Sequence, residues 1–226
     1  MMPHFKETKQ LFKKVFQEAS NAGRGRHDLL EAAFLAYAHT NPVIDYLFWK
    51  RLKVAEEYVL THDAKKVLDF GSGSGVMSYA LGKNGIQVTA FDIDLKPLEE
   101  IKKTISFPSS VVFETGQALD DSRFDGAFDC IVALDVLEHI EDLSDFVALA
   151  RRVLKKDGYV IVSGPTENVW YKIGRWFAGK EFTGDYHVSN IASIEERLAQ
   201  DFAIKRIHTI FPFLPLFRIF AAKMVQ

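Results

Sequence analysis

Apolar residues at Phe5, Leu11, Phe12, Val15 and Phe16 recur at helical spacing and predict a first helix. The stretch Asn21-Ala22-Gly23-Arg24-Gly25 ends it, because two glycines in three positions leave the helix without side chains to pack. Asp28 to Tyr37 predicts a second, shorter helix. Asn41-Pro42 opens a third: Asn supplies an N-cap, and Pro fits the first helical position, where its missing N–H costs nothing. Along that helix Ile44, Leu47, Phe48, Leu52, Ala55 and Val59 form one apolar stripe.

From Lys65 the period changes. Lys66 to Phe70 is a short strand running into Gly71-Ser72-Gly73-Ser74-Gly75, and a helix follows to about Gly82. Ile86 to Phe91, Val111 to Phe113, Phe128 to Leu134 and Tyr159 to Ser163 read as further strands. Helices are predicted over Pro97 to Ile105 and Asp142 to Leu154, the second closed by Lys155-Lys156-Asp157-Gly158. Alternation of this kind argues a parallel sheet covered on both faces. After Gly164-Pro165 come an aromatic insert (167–188), a helix around Ile194 to Ala199, and two apolar runs, Phe202–Phe211 and Leu216–Met224, joined by a Pro-containing turn. The expected organisation is an N-terminal helical cap over 1–62 and an α/β domain over 63–226.

Composition narrows the class. The chain has 226 residues, 48% hydrophobic and 26% charged, which excludes disordered and coiled-coil proteins. The net charge of -2 gives no overall pull toward nucleic acid, and residues 67–166 are the acidic part. The lone cysteine, Cys130, has no partner for an internal disulfide, which suits a reducing compartment. No apolar h-region follows the start, and no apolar run reaches the ~20 residues of a membrane span, so a cytoplasmic protein is expected.

The glycine loop carries the sharpest chemistry. Glycines between a strand and a helix permit positive φ and close approach of a ligand to the backbone, and the helix start offers free N–H groups. Asp92 closes the next strand, where an acid can accept from both ribose hydroxyls of a nucleoside. The dinucleotide fingerprint needs glycine where Val76 stands, and no Gly-Lys-Ser/Thr follows as in a P-loop. A nicotinamide-dependent oxidoreductase is therefore disfavoured.

The pattern resembles the class I S-adenosylmethionine-dependent methyltransferases, whose first motif is Asp-x-Gly-x-Gly-x-Gly after strand one. Val88 to Asp94 looks like that family's second motif, Phe128 to Ile140 like its fourth strand and Leu-Glu-His element, and Leu154 to Ser163 like its turn into strand five. The family implies a Rossmann-like seven-stranded sheet, its last strand antiparallel, flanked by helices. It also implies roles. Gly71, Ser72, Gly73 and Gly75 would cradle the methionine part of S-adenosylmethionine. Asp69 would orient the ammonium group, and Asp92 would hold the ribose with Ile93 beside it. Gln117 and Ala118 would cover the adenine, with Gln117 standing where many relatives have Asp, and Leu134 would lie under the sulfonium.

Asp135 and Glu138 are three apart and would share a face on a helical turn, with His139 adjacent. Two carboxylates and an imidazole suit a divalent metal, and the set is similar to the metal element of small-RNA 2′-O-methyltransferases. His139, or His187 in the insert, is the candidate general base, needed only for an acceptor that keeps its proton at pH 7. Within the insert Val169, Ile173, Trp176 and Phe177 share one face, as a lid over an apolar substrate, a patch on a membrane surface through 168–180, or core packing. The expected partner is a small apolar or amphipathic acceptor such as a quinone precursor, lipid or lipid-linked sugar. DNA is not expected, and RNA is disfavoured by the acidic middle of the chain. The rival readings are a metal-dependent RNA 2′-O-methyltransferase and a non-catalytic scaffold that binds S-adenosylmethionine.

Overall fold

The computed structural model describes residues 3–22, 37–166, 189–211 and 215–225. The helix expected over 28–37 lies outside them apart from its end, as do the insert 167–188, with His187, and most of the turn expected before Leu216. The seven strands form one mixed sheet. The chain divides into two compact units, residues 1–120 and 121–226.

The first unit holds α1 (Pro3–Ala22), α2 (Pro42–Thr61), β1 (Lys66–Phe70), α3 (Val76–Lys83), β2 (Gln87–Phe91), α4 (Lys96–Lys102) and β3 (Val111–Glu114). β1, β2 and β3 pair in parallel, with Asp69 opposite Ala90 and Phe91 opposite Glu114. The start of α2 is built as its sequence requires: the Asn41 side chain accepts from the Val43 N–H, and Pro42 occupies the first turn. Asp45 in that turn accepts from Lys9 at 2.5 Å and Lys13 at 2.6 Å, tying α2 to α1. Burial pushes its carboxyl up, but the two ammonium groups outweigh that and hold it below the usual carboxylate range.

Aromatic packing fastens α1 to the α/β part of this unit. Phe12, fully buried, meets Tyr79 of α3 at 5.3 Å between ring centroids and Phe107 at 6.4 Å. Phe107 in turn meets Phe113 of β3 at 5.2 Å, edge to face. On the other side Phe16 stacks on Tyr37, which contacts Trp49 of α2 at 5.3 Å. Helix α2 buries more than the expected stripe. Trp49, Arg51, Val54 and Glu56 are also inside, while Phe48 is half-buried, because rings and side chains pack on more than one of its faces.

The second unit holds β4 (Phe128–Leu134), α5 (Ser144–Val153), β5 (Leu154–Pro165), α6 (Ile191–Leu198), β6 (Phe202–Ile210) and β7 (Phe217–Met224). β4 and β5 are parallel, and β7 runs antiparallel to both β5 and β6. Lys155 to Gly158 departs from expectation, since it lies inside β5 and does not close a helix. Phe128 pairs with Leu154 and Cys130 with Tyr159, so these four residues bulge from the ladder, with Lys155, Lys156 and Asp157 in solvent. Asn190 caps α6 through a reciprocal capping box with Ser193. Among the described residues no helix is long and apolar enough to cross a membrane.

Glu56 is fully buried on α2 and accepts from Asn84 Nδ2 at 2.9 Å, while its Oε2 has no partner among the described residues. Burial pushes this carboxyl up to about 7 against the pull of Asn84. Its ionised form therefore burdens the folded state increasingly as pH rises from about 4.5 to 7, and fully above that. Glu56→Gln should stabilise the protein by about 1–3 kcal/mol at pH 8, with the gain shrinking toward zero near pH 4.5. Urea denaturation of both proteins across that range measures it, and a gain independent of pH would refute the assignment.

Candidate functional site

β1 delivers Asp69 and Phe70 to the rim of the sheet, and the chain then turns through Gly71 to Gly75 into α3. The turn is pinned to the end of β2, because the N–H groups of Gly71 and Ser72 both donate to the Phe91 carbonyl at 2.9 Å. The Gly75 N–H donates to the Ser72 carbonyl at 2.8 Å, and Gly75 forms the N-cap position of α3. The Phe70 and Phe91 rings stack at 5.6 Å where the two strands end.

Two of the glycines do different work. Gly75 has φ +77°, and a Cβ there would sit 2.8 Å from Leu98 Cδ1 and 2.9 Å from the Phe107 ring, so this glycine lets the loop close on the core. Gly73 has φ +52°, and a Cβ there would meet nothing within 4 Å. It faces open space, as backbone that receives a ligand must. Its N–H donates to Asp92 Oδ2 at 2.7 Å, while the Asp94 N–H reaches Asp92 Oδ1 at 3.2 Å. An ionised carboxylate offers about four lone-pair sites, so roughly two remain for hydroxyl donors.

Asp69 is 3% exposed and accepts from the Ser78 hydroxyl at 2.5 Å. Burial raises its carboxyl to about 7, Ser78 opposes this through hydroxyl and backbone, and the Asp92 charge adds to the rise. Ile93, beside Asp92, is 87% exposed, an unusual setting for a large apolar side chain. Its carbonyl accepts from the Thr115 hydroxyl at 3.4 Å, which ties the loop carrying Gln117 and Ala118 to it. Gln117 is exposed and Ala118 opens a single 3₁₀ turn. The structure thus gathers Asp69, Gly71, Ser72, Gly73, Gly75, Asp92, Ile93, Gln117 and Ala118 at the carboxyl ends of β1, β2 and β3, the usual ligand rim of an open α/β sheet.

These residues fit S-adenosylmethionine. Among the described residues Ser72 Oγ is buried without a partner and the space over Gly73 is open, and the carboxyls of Asp92 and Asp69 would take ribose hydroxyls and a cation. Ser78 was not a sequence candidate. Its only signal is its place three residues after the capping Gly75, where a helix N–H and a hydroxyl point back toward the strand.

In the second unit Leu134 ends β4 half-buried. Asp135 follows with φ +53°, a strained setting for a residue with a side chain, held by its N–H on the Ser163 carbonyl and its Oδ1 on the Ser163 hydroxyl, both at 3.0 Å. The proposed metal set is not assembled. Only Leu137–His139 forms a 3₁₀ turn, Asp135 stands before it in a left-handed conformation, Glu138 is 1% exposed and His139 is in solvent. The shared face expected for Asp135 and Glu138 needed a continuous helical turn, and the chain does not make one. Among the described residues no group of three His, Cys, Asp or Glu side chains is placed to hold a metal ion.

Comparison with known proteins agrees with this geometry. A family model described as a methyltransferase domain matches residues 35–214. The chain is 31% identical over 107 residues to a ubiquinone biosynthesis O-methyltransferase of Pseudomonas aeruginosa (strain LESB58), covering 46% of each chain. It is 34% identical over 110 residues to the protein of that name from Pasteurella multocida (strain Pm70), covering 44% of this chain and 46% of the relative. It thus spans about half the length of the curated relatives it matches. Among solved structures, magnesium protoporphyrin IX methyltransferase from Synechocystis PCC 6803 with bound SAH superposes with a TM-score of 0.62 at 18% identity, over 97% of this chain and 99% of that one. The methyltransferase domain of bacterial CtHen1 gives 0.61 at 19% identity, over 79% of this chain and all of the other. A matched family model over most of the chain, on a glycine loop with this geometry, places the chain in the methyltransferase-domain family, among the class I S-adenosylmethionine-dependent methyltransferases.

Proposed function

We propose that this protein transfers the methyl group of S-adenosylmethionine to a small apolar or amphipathic acceptor. The observation that carries this reading is the open glycine loop, with Gly73 bonded to Asp92 on one side and buried Asp69 below. When bound, S-adenosylmethionine supplies a methyl carbon already activated by its sulfonium, so the protein's task is alignment and exclusion of water. Asp92 holds the ribose through its free lone pairs, Ile93 offers an apolar face to the adenine, and Gln117 accepts from the adenine amino group through its carbonyl oxygen. Asp69 faces the ammonium group of the methionine part, and the Gly71–Gly75 backbone carries the remainder.

The acceptor class rests on different support. The curated relatives carry the name ubiquinone biosynthesis O-methyltransferase, and this chain's first helices include the exposed Tyr46 and the half-buried Phe48 beside their core rings. A phenolic acceptor keeps its proton at neutral pH, and the described residue offered for its removal is His139, in solvent on the turn after β4. That carboxyl end of a sheet strand is where such a base belongs.

Asp92→Ala should weaken S-adenosylmethionine binding by one or two charge-assisted hydrogen bonds, roughly 1.5–3 kcal/mol each. Gly73→Val should abolish binding while costing only the ~1–2 kcal/mol of a left-handed residue with a side chain. Titration calorimetry checks both, and wild-type affinity in either variant would refute the loop assignment. His139→Ala should lower turnover of a phenolic acceptor on the order of 10²-fold or more, with cofactor affinity unchanged. Single-turnover methyl transfer measures this, and full activity would remove His139 from the chemistry.

A further inference from the structure

Asp69 sits in an unusual electrostatic position. It is buried, and the one charged group acting on it among the described residues is the Asp92 carboxylate, which has the same sign. β2 presents Ala90 opposite it and α3 presents Ser78, while the cation of α3, Lys83, stands at the far end of that helix and does not act on Asp69. A carboxyl in such a place resists ionisation until a positive charge arrives. Its level of about 7 leaves it partly protonated near neutral pH. The Ser78 hydroxyl, held at the third position of α3, favours the ionised form together with the Ser78 backbone N–H, which a side-chain substitution leaves in place.

Resting on the reading that this loop holds S-adenosylmethionine, we infer that cofactor binding expels a proton from the Asp69 side chain, and that Ser78 is the positioning residue that governs how easily it leaves. The balance is simple. The neutral carboxyl of Asp69 gives its proton to the buffer, and the carboxylate left behind is compensated by the ligand's ammonium group. Affinity for the cofactor therefore depends on pH, because below the titration range each binding event must first remove a proton. Helix α3 couples the two ends of this exchange, since the helix start that forms the loop also carries Ser78.

The test is calorimetric titration of the whole chain with S-adenosylmethionine in three buffers of different ionisation enthalpy, between pH 5.5 and 7.5. The release is read at and below pH ~6.5, well clear of the α-amino range of about 7.7–8.0, because nearer that range the ligand's own amine takes up a proton on binding. Most of one proton should be released per site at pH 6, falling as pH rises, and affinity should climb roughly tenfold per unit well below pH 7 before levelling. S-adenosylhomocysteine, which has the same ammonium group, should release the same proton. 5′-Methylthioadenosine, which lacks the amino-acid part, should bind without release. Ser78→Ala should move the half-release point to higher pH and weaken S-adenosylmethionine several-fold at pH 7, leaving the affinity for 5′-methylthioadenosine unchanged. Asp69→Asn should bind the cofactor weakly with no proton released, and if that variant does not fold the Ser78 variant decides alone. Tight binding with equal heats in all buffers and a flat affinity profile would overturn the inference, as would release by 5′-methylthioadenosine. An unmoved half-release point in Ser78→Ala would remove Ser78 from it. Failure of every adenosyl compound to bind would instead overturn the proposed function.

Discussion

Two backbone N–H groups, those of Gly71 and Ser72, converge on one carbonyl, that of Phe91, and the rest of the site depends on this pairing. It fixes the exit of β1 against the exit of β2, so the acid closing the second strand stands beside the loop that follows the first. The Gly73 N–H completes the junction by donating to Asp92. A turn this tight needs left-handed backbone at three places, and only glycine takes that conformation without crowding its own carbonyl. Loop shape and acid position are thus one constraint, and a change in either displaces the other.

Helix α3 carries this constraint into the core. Its cap position is a glycine with no side chain to satisfy the first N–H groups, and Asp69, from the preceding strand, takes up that task through Ser78. At the other end Asn84 donates both to the Ala80 carbonyl and to the buried Glu56 of α2. The helix therefore ends on a buried acid at each side, both raised to about 7 by desolvation. Between them Tyr79 joins the aromatic run from Phe12 through Phe107 to Phe113. The first helix is consequently part of the support beneath the glycine loop, since Phe107 touches both Phe12 and the place a Gly75 side chain would fill.

Much of this was legible in the sequence where the signal is local. Asn41-Pro42 states a helix start in two residues, and the observed cap uses both. The strands before the glycine loop and before Asp92 are short apolar runs bounded by turn residues, and they lie where the periodicity puts them. The relation of Asp69 to Ser78 is different, because it joins a strand to a helix across a turn whose geometry no periodicity encodes. Lys155 to Gly158 carries the composition of a helix stop, yet β-pairing to Phe128 before the stretch and to Cys130 after it absorbs these residues as a bulge. Likewise the spacing of Asp135 and Glu138 suggested a shared face, but spacing decides a face only where a helix exists. A single left-handed residue at Asp135 cancels it.

The distribution of polar groups suits the proposed reaction. Transfer from a sulfonium needs little from the protein at the reacting carbon, so selection for charge falls on holding the donor. The first unit accordingly gathers carboxylates, exposed amides and an open glycine within a few residues of three strand ends. The second unit instead tethers the strained Asp135 to β5 by two bonds to Ser163 and exposes His139 on the following turn. Buried Asp69, with half-buried Asp92 as the one charged group acting on it among the described residues, is placed to favour a ligand that carries positive charge. On the proposed reading a ligand that brings positive charge would relieve that repulsion, whereas a neutral nucleoside of the same shape would gain only the ribose and adenine contacts.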